Sequence, residues 1–356
     1  MQIIDFYNFS NAEIRVWLRR EPFAEEYMLE YSAFINKWLD KNVQSFVFET
    51  SGTTGKPKEI TFTREQLANS AKRSADVFNL KEGDLTLLPL PATYVAGRMM
   101  MVRAAINKQR VLFVQPDANP LKDLPEEIKI SFAPFVPYQL EGILSDPHST
   151  AVFEKIHTVI IGGAPLSEDM TERLSLFKNN IFATFGMTET LTHIALRRIA
   201  PETQSLYTLL PQVKIGVNND NCLKIKDELL DTPWIQTNDI VELSGNQAFN
   251  WIARKDNVIN SGGIKVFPEI IESALSKKVL FPFFIAGIKD KKLGEKVVFI
   301  GKTDNVSRAY LDALQKIFST SLKKYEQPKE VFLLKEFVYN ANKKVDRKAT
   351  IELIGQ

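Results

Sequence analysis

Residues 48–58 read Phe-Glu-Thr-Ser-Gly-Thr-Thr-Gly-Lys-Pro-Lys. The stretch gathers the hydroxyls of Thr50, Ser51, Thr53 and Thr54, two points of tight backbone curvature at Gly52 and Gly55, and the ammonium groups of Lys56 and Lys58. Hydroxyls, free backbone N–H groups and cations in one short loop suit a polyphosphate. The loop is not the P-loop of nucleotide kinases. Its glycines stand three apart, and Pro57 follows Lys56 where that motif needs a magnesium-binding hydroxyl.

Other residues could do chemistry further along. Arg103 sits six residues after Gly97 in an otherwise apolar run, Met-Met-Met-Val-Arg-Ala-Ala-Ile. An unpaired buried charge is expensive, so the guanidinium must either snorkel to water or meet an anion, and its fork binds a carboxylate in a two-pronged way. Gly162-Gly163-Ala164-Pro165-Leu166, Ile181-Phe-Ala-Thr-Phe185-Gly186-Met187-Thr188-Glu189-Thr190, Asn238-Asp239, Arg254-Lys-Asp256 and Lys343-Lys344 complete the set. Taken singly, these are ordinary turns and one basic surface loop. His193 is one of three histidines and is assigned no chemistry.

The elements that position these residues follow from patterning. Ser45–Phe48 and Ile60–Thr63 read as strands flanking the first loop. Thr63-Arg-Glu-Gln66 reads as a capping box opening a helix to about Leu80. Residues 1–44 read as amphipathic helix with Trp17, Phe23, Tyr27, Leu29, Phe34 and Trp38 in the core. Asp84–Pro91, Arg110–Val114, Ile128–Phe132 and Thr158–Gly162 read as strands; Met99–Ile106, Tyr138–Leu144 and Ser167–Phe177 read as helices. This alternation argues for a parallel sheet with covering helices. From Asn257 the pattern shifts to a small α+β domain: helices at Pro268–Lys277 and Ser307–Lys324, strands at Phe283–Ile288, Lys296–Gly301 and Glu330–Lys335.

Composition sets the outer bounds. With 356 residues, two domains are expected. A net charge of +2 gives no reason to expect nucleic acid, and the single cysteine, Cys222, fits a reducing compartment. No apolar run is long enough to span a bilayer, and Met1-Gln-Ile-Ile-Asp is not a secretory leader. A cytoplasmic protein without membrane insertion is expected.

Thr50-Ser-Gly-Thr-Thr-Gly-Lys-Pro-Lys58 resembles the phosphate-binding signature of the adenylate-forming enzymes, and later motifs resemble theirs in the family's order through Lys344-Val-Asp-Arg347. The resemblance implies a large N-terminal α/β domain, residues 1–255, with parallel and mixed sheets and covering helices. It is shortened at its N-terminus and followed by a small mobile α+β domain, residues 256–356, joined by a hinge at Asp256. It implies ATP, magnesium and coenzyme A as ligands. Thr50–Lys58 would cradle the phosphates. Gly163, Ala164 and Pro165 would lie against adenine, with Phe185, Gly186 and Met187 beside it and Phe185 stacking on the ring. Thr188 would contact the α-phosphate and Glu189 would hold magnesium. Asp239 would bind the ribose and Arg254 the ribose or a phosphate, Asn238 replacing a usual glycine in a turn that asparagine can sustain. Gly262 and Gly263 would line the coenzyme A channel, and Lys344 would be catalytic, with Lys343 beside it.

Tyr94, Arg103, Thr190 and Thr192 would face the carboxylic acid substrate, Arg103 on a second carboxylate. The Leu-Pro-x-x-Tyr-Val-Ala-Gly97 stretch with Arg103 and the Gly186–Thr190 segment look most like o-succinylbenzoate–CoA ligases of menaquinone synthesis. A ligase for another aryl or medium-chain acid, a non-catalytic nucleotide-binding relative, a carrier-protein thiol as acceptor and a homodimer all remain open at this point.

Overall fold

The computed structural model describes residues 2–20, 26–49, 58–304, 307–339 and 345–354. Along the chain come β1 (Gln2–Asp5), α1 (Asn11–Arg20), α2 (Glu26–Leu39), β2 (Ser45–Glu49), β3 (Glu59–Thr63), α3 (Arg64–Val77), β4 (Leu85–Leu88), α4 (Val95–Ile106), β5 (Arg110–Phe113), β6 (Phe132–Phe135), α5 (Pro137–Leu144), α6 (Pro147–Glu154), β7 (Thr158–Ile161), α7 (Glu168–Ser175), β8 (Asn180–Gly186), β9 (His193–Ala200) and β10 (Tyr207–Leu209). Then follow β11 (Val213–Val217), β12 (Cys222–Asp227), β13 (Ile235–Ser244), β14 (Ala248–Arg254), β15 (Ile259–Ser261), β16 (Ile264–Val266), α8 (Pro268–Leu275), β17 (Phe283–Asp290), β18 (Gly294–Lys302), α9 (Arg308–Ser321), β19 (Glu330–Leu334) and α10 (Arg347–Glu352). They form two compact units. One comprises Met1–Leu166, Glu172–Lys214 and Ile225–Ile235; the other comprises Ser167–Thr171, Ile215–Lys224 and Gln236–Gln356.

In the first unit the strand order is β1-β5-β4-β6-β7-β8-β9-β10. The pairs from β5 through β8 are parallel, whereas β1, β9 and β10 join antiparallel. The interior strands β4, β6 and β7 are buried at every residue, as expected where helices cover both faces. The α/β expectation holds, with a mixed sheet. α3 opens on the expected capping box: Thr63 Oγ1 accepts from the Gln66 N–H, and Gln66 Oε1 from the Thr63 N–H.

Three sequence expectations change. The strand expected at Ile128–Phe132 is β6, at Phe132–Phe135, and includes Pro134 opposite Ile160; alternation in Ile-Lys-Ile-Ser mimicked a strand, while proline disguised the real one. The N-terminus begins with an edge strand, β1, before its helices. Leu29 is 55% exposed, whereas Phe34 and Trp38 are buried; Phe23 lies outside the described residues.

In the second unit a small sheet runs β16-β15-β18-β17, with β19 parallel to β18. Strand alternation gives it two cores. Ile285, Val297 and Phe299 face α8 and α9 residues such as Leu275 and Phe318 on one side. Phe284, Val298 and Ile300 pack with Phe337 and Ile351 on the other. No helix among the described residues is long and apolar enough to cross a membrane.

Candidate active site

In the first unit, β2 and β3 form an antiparallel hairpin with Phe46 opposite Phe62 and Glu49 opposite Glu59. Phe46, Phe48 and Phe62 are buried, so the base of the intervening loop is anchored on both sides. Thr50, Ser51, Gly52, Thr53, Thr54, Gly55 and Lys56 lie outside the described residues; Lys58 is exposed where the loop returns. After β7, Gly163 takes φ +84°, and Gly163, Ala164 and Pro165 are exposed.

The end of β8 is shaped by contact. A Cβ on Gly186 would lie 2.4 Å from the Thr192 carbonyl oxygen and 2.6 Å from the His193 Cα, so only glycine fits. Phe185 meets Tyr207 edge-on at 5.9 Å. Thr190 is fully buried. Its hydroxyl accepts from the Met187 N–H at 3.1 Å and lies 3.0 Å from the Met187 carbonyl and 2.8 Å from the Thr192 carbonyl. Leu191 has φ +63° and ψ −48°, and the Thr192 N–H donates back to the Thr190 carbonyl at 2.7 Å. This is a strained γ-turn of the kind that clusters at functional sites. It buries Thr190 and Leu191 while leaving Glu189 exposed and Thr188 and Met187 half-buried. Glu189 makes no ion pair among the described residues, and a single open carboxylate suits magnesium, which typically combines one or two carboxylates with substrate phosphates and water. Thr192 Oγ1 lies 2.9 Å from Ser70 Oγ.

Arg103 does not snorkel: it is 2% exposed. α4 is buried at Gly97 and from Met99 through Ala104, so it offers no wet face. The guanidinium stacks 5.3 Å from the Phe132 ring centre and Nη1 approaches Met100 Sδ, while Nε has no partner and no carboxylate pairs with it among the described residues. Burial lowers its pKa to about 10. His193 is also buried, its Nε2 unpartnered and its ring 5.7 Å from Phe78, which itself packs on Phe132 at 5.2 Å. Burial, then the charges of Arg103 and Arg73, push the His193 pKa down to about 3, so the imidazole is neutral. Arg73 differs from Arg103 in being paired through both nitrogens with buried Asp227, at 2.9 and 2.7 Å. Tyr94, at the start of α4, is 37% exposed. A separate cleft of about 350 Å³, lined by Glu30, Phe34, Lys37, Val47 and Arg98 among others, includes neither Arg103 nor the Gly186–Thr192 segment.

In the second unit the charged residues are interlinked. Asp239, 5% exposed, accepts from Trp251 Nε1 at 2.9 Å and pairs with Arg254 at 3.4 Å. Arg254 also donates to Asp256 at 2.9 Å. Burial opposes the charge on Arg254, but Asp239 and Asp256 outweigh it and hold its pKa above the ordinary value. Asn238 is not in a turn. It lies inside β13 without positive φ, and its side-chain amide donates to Asp256 at 3.0 Å; glycine could not make that bond. Asn257 Nδ2 reaches Glu269 of α8 at 2.6 Å. Gly262 and Gly263 are the two loop residues of the β15–β16 hairpin, with φ +61° and +82°. Two positive φ values are the requirement of the tight turn that matches strand twist. Lys343 and Lys344 lie outside the described residues, between Tyr339 and Val345, which form an antiparallel bridge.

Sequence reasoning assigned His193 no chemistry and gave Trp251, Glu269 and Glu272 no role. Trp251 finds Asp239 only across the β13–β14 register, which has no local signature.

The family described as AMP-binding enzyme matches residues 10–229. The 2-succinylbenzoate–CoA ligase of Listeria monocytogenes is 26% identical over 96% of this chain and 79% of its own length. A probable 2-succinylbenzoate–CoA ligase of Mycobacterium tuberculosis is 26% identical over 89% and 86%. Among solved structures, an acyl-CoA synthetase (AMP-forming)/AMP-acid ligase II-like protein of Dyadobacter fermentans is 32% identical, with a TM-score of 0.64 over 99% of this chain and 100% of its own. The O-succinylbenzoate coenzyme A synthetase of Bacillus subtilis, solved with ATP and magnesium, shares the fold at 23% identity and a TM-score of 0.73, over 86% and 69%. A match across more than half of the residues means that this chain belongs to the AMP-binding enzyme family of adenylate-forming ligases.

Proposed function

We propose that the chain is an AMP-forming acid–CoA ligase acting on a dicarboxylic acid, o-succinylbenzoate, to give o-succinylbenzoyl-CoA. The observation that carries the acid is Arg103, a buried guanidinium with no carboxylate partner among the described residues. An anionic group brought by substrate would complete a pair that the fold leaves open. The names of the relatives from Listeria and Mycobacterium support the same acid.

In this reading one substrate carboxylate attacks the α-phosphorus of ATP and pyrophosphate leaves. Thr50–Lys58 hold the β- and γ-phosphates, Gly163–Pro165 and Phe185 take the adenine, Asp239 holds the ribose, and Arg254 holds the ribose or a phosphate. Thr188 contacts the α-phosphate, and Lys344 neutralises charge that develops in the transition state. Glu189 would hold magnesium, which would supply further charge neutralisation when bound. Tyr94, Thr190, Thr192 and Arg103 orient the acid. Residues 256–356 then turn about Asp256, and coenzyme A, passing Gly262 and Gly263, attacks the acyl-adenylate carbonyl to release AMP. Positioning and electrostatics do most of the catalysis.

The test is pyrophosphate release with ATP, magnesium and a panel of acids, with and without coenzyme A, in parent and Arg103→Ala. The expected result is coenzyme A-dependent turnover with o-succinylbenzoate, reduced about 10- to 100-fold in kcat/KM by the substitution, the range for losing a charged hydrogen-bonded contact. Unchanged turnover in Arg103→Ala would favour another aryl or medium-chain acid. Silence across the panel with ATP still bound would favour a non-catalytic relative.

A further inference from the structure

His193 is only 7% exposed, and the reaction just described gives it no task. It opens β9 and pairs across the ladder with Gly186, the last residue of β8. Its Cα is among the atoms that leave no room for a side chain at Gly186, so the His193 backbone presses on the turn that leads to Thr188 and Glu189. The His193 ring packs on Phe78 at 5.7 Å, Phe78 packs on Phe132 at 5.2 Å, and the Arg103 guanidinium lies 5.3 Å from the Phe132 ring centre. The imidazole and the guanidinium therefore share one aromatic wall, although they come from β9 and α4.

Both carry a polar atom that the fold does not satisfy. His193 Nε2 and Arg103 Nε are buried without a hydrogen-bond partner among the described residues. So is Ser74 Oγ, on α3 one turn before Phe78. Buried polar atoms almost always find a partner, as the equally enclosed Thr190 and Gln139 do here. A carboxylate would meet the need of both rings of donors: its two oxygens offer about four acceptor sites, so one that pairs with a guanidinium still has lone pairs to spare. The imidazole is neutral, held so by burial and by the charges of Arg103 and Arg73, and a neutral imidazole donates through one ring nitrogen. A bridging water could satisfy the same atoms, but it brings no charge and would leave the buried guanidinium uncompensated.

We infer that His193 is a specificity residue for the acid, its Nε2–H donating to the same substrate carboxylate that Arg103 pairs with. The inference rests on the reading of Arg103 given above and extends it. A guanidinium alone selects charge. A second donor from a different element also fixes how the carboxylate is turned, and His193 is the donor whose backbone is locked to the Gly186 turn. The fold would then read a dicarboxylic acid at two points, and a monoacid would leave both unmet.

The experiment uses the full chain and the dicarboxylate that the parent turns over best, o-succinylbenzoate on the reading above. It is compared with the monoacids made by removing one or the other carboxylate, each assayed by pyrophosphate release as a substrate or, where it is not turned over, as a competitive inhibitor. Variants are His193→Leu, His193→Gln and Arg103→Ala, with melting temperature recorded for each. For His193→Leu the expected preference for dicarboxylate over monoacid falls about 10- to 100-fold, the range for losing a hydrogen bond to a charged group. His193→Gln, which keeps a side-chain N–H donor, should recover part of it. A parental preference in His193→Leu, or a loss that follows melting temperature across the series, would leave a core histidine or one bridged by water, and would overturn the inference. A second measurement does not need the leucine variant to fold. In histidine-labelled parent with a non-hydrolysable ATP analogue, the dicarboxylate should move the His193 ring resonances, assigned by their absence in His193→Gln. Unmoved resonances with a dicarboxylate that the parent turns over would also overturn the inference. If Arg103→Ala keeps the parental preference, or the parent favours a monoacid or uses no acid, it is the underlying reading of Arg103 and the acid that has failed.

Discussion

Arg254 and Arg103 are both arginines that the sequence singled out, and their surroundings are opposite. Arg254 is half-buried with Asp239 on one side and Asp256 on the other, each carboxylate held again by Trp251 or Asn238. Arg103 is almost wholly buried, with a methionine sulfur, an aromatic face and a neutral histidine for company. In the first region folding has already supplied the counter-charges, so the network sets geometry. In the second no carboxylate among the described residues balances the guanidinium, and on the proposed reading the acid substrate brings the missing anion. On that reading the arrangement sacrifices stability for binding, a trade familiar at functional sites.

Replacing each arginine by methionine puts this contrast to its hardest test, because the two substitutions should move stability in opposite directions. Arg103→Met keeps volume and contact with Phe132 but removes an uncompensated buried charge. The expected result is a gain of about 1–4 kcal/mol, the range reported when buried ionic groups are replaced by packed apolar ones, together with loss of turnover on a dicarboxylic acid. Urea denaturation of parent and variant checks it. A loss of stability would mean that Arg103 is compensated in the apo fold.

The companion change is smaller and of the other sign. Arg254→Met leaves Asp239 with Trp251 as its side-chain donor and Asp256 with Asn238. The expected loss is about 1–2 kcal/mol, the lower part of the range for hydrogen bonds to charged groups, because the guanidinium is partly solvated. The same urea titration reads it, and a gain would show that the network is not a stabilising one.

How far these regions were legible differs in the same way. The capping box at Thr63 and Gln66 spans three residues, so local pattern was enough; the tight β15–β16 turn at Gly262-Gly263 was not foreseen, the pair being read only as a coenzyme A channel. That Arg103 was chemically odd was also plain from its apolar run. Its burial was not, because a helix apolar on every side gives no hint of which face meets water, and both readings stayed open. Asn238 was read as a turn because its partner Asp256 lies 18 residues on, across a hairpin whose register no local pattern reports. The Glu272–Arg347 pair spans 75 residues and was invisible for the same reason. The phosphate loop shows the converse: its chemistry was the clearest feature of the sequence, while the structure describes only the strands that anchor it.

The gentlest probe of the contrast is pH, through His193. The imidazole faces Arg103 from α4, Arg73 from α3 and Phe78 just after α3, and no carboxylate is placed against it among the described residues, Asp227 being engaged with Arg73. Its folded pKa is about 3 against an ordinary 6.5. Above 6.5 the ring is neutral in both folded and unfolded chains and contributes nothing. As pH falls below 6.5 the unfolded chain takes up a proton that the folded chain refuses, so stability drops progressively until pH approaches 3. His193→Gln removes that uptake, so its urea midpoint should fall less than the parent's between about pH 7 and pH 4. Arg103→Met should flatten the slope in part, because removing one of the two nearby charges lets the imidazole protonate more readily. The two substitutions should then be non-additive, as expected for groups sharing one electrostatic environment. Parallel slopes in all three proteins would mean that His193 does not feel Arg103, and the unbalanced region would reduce to a single misplaced charge.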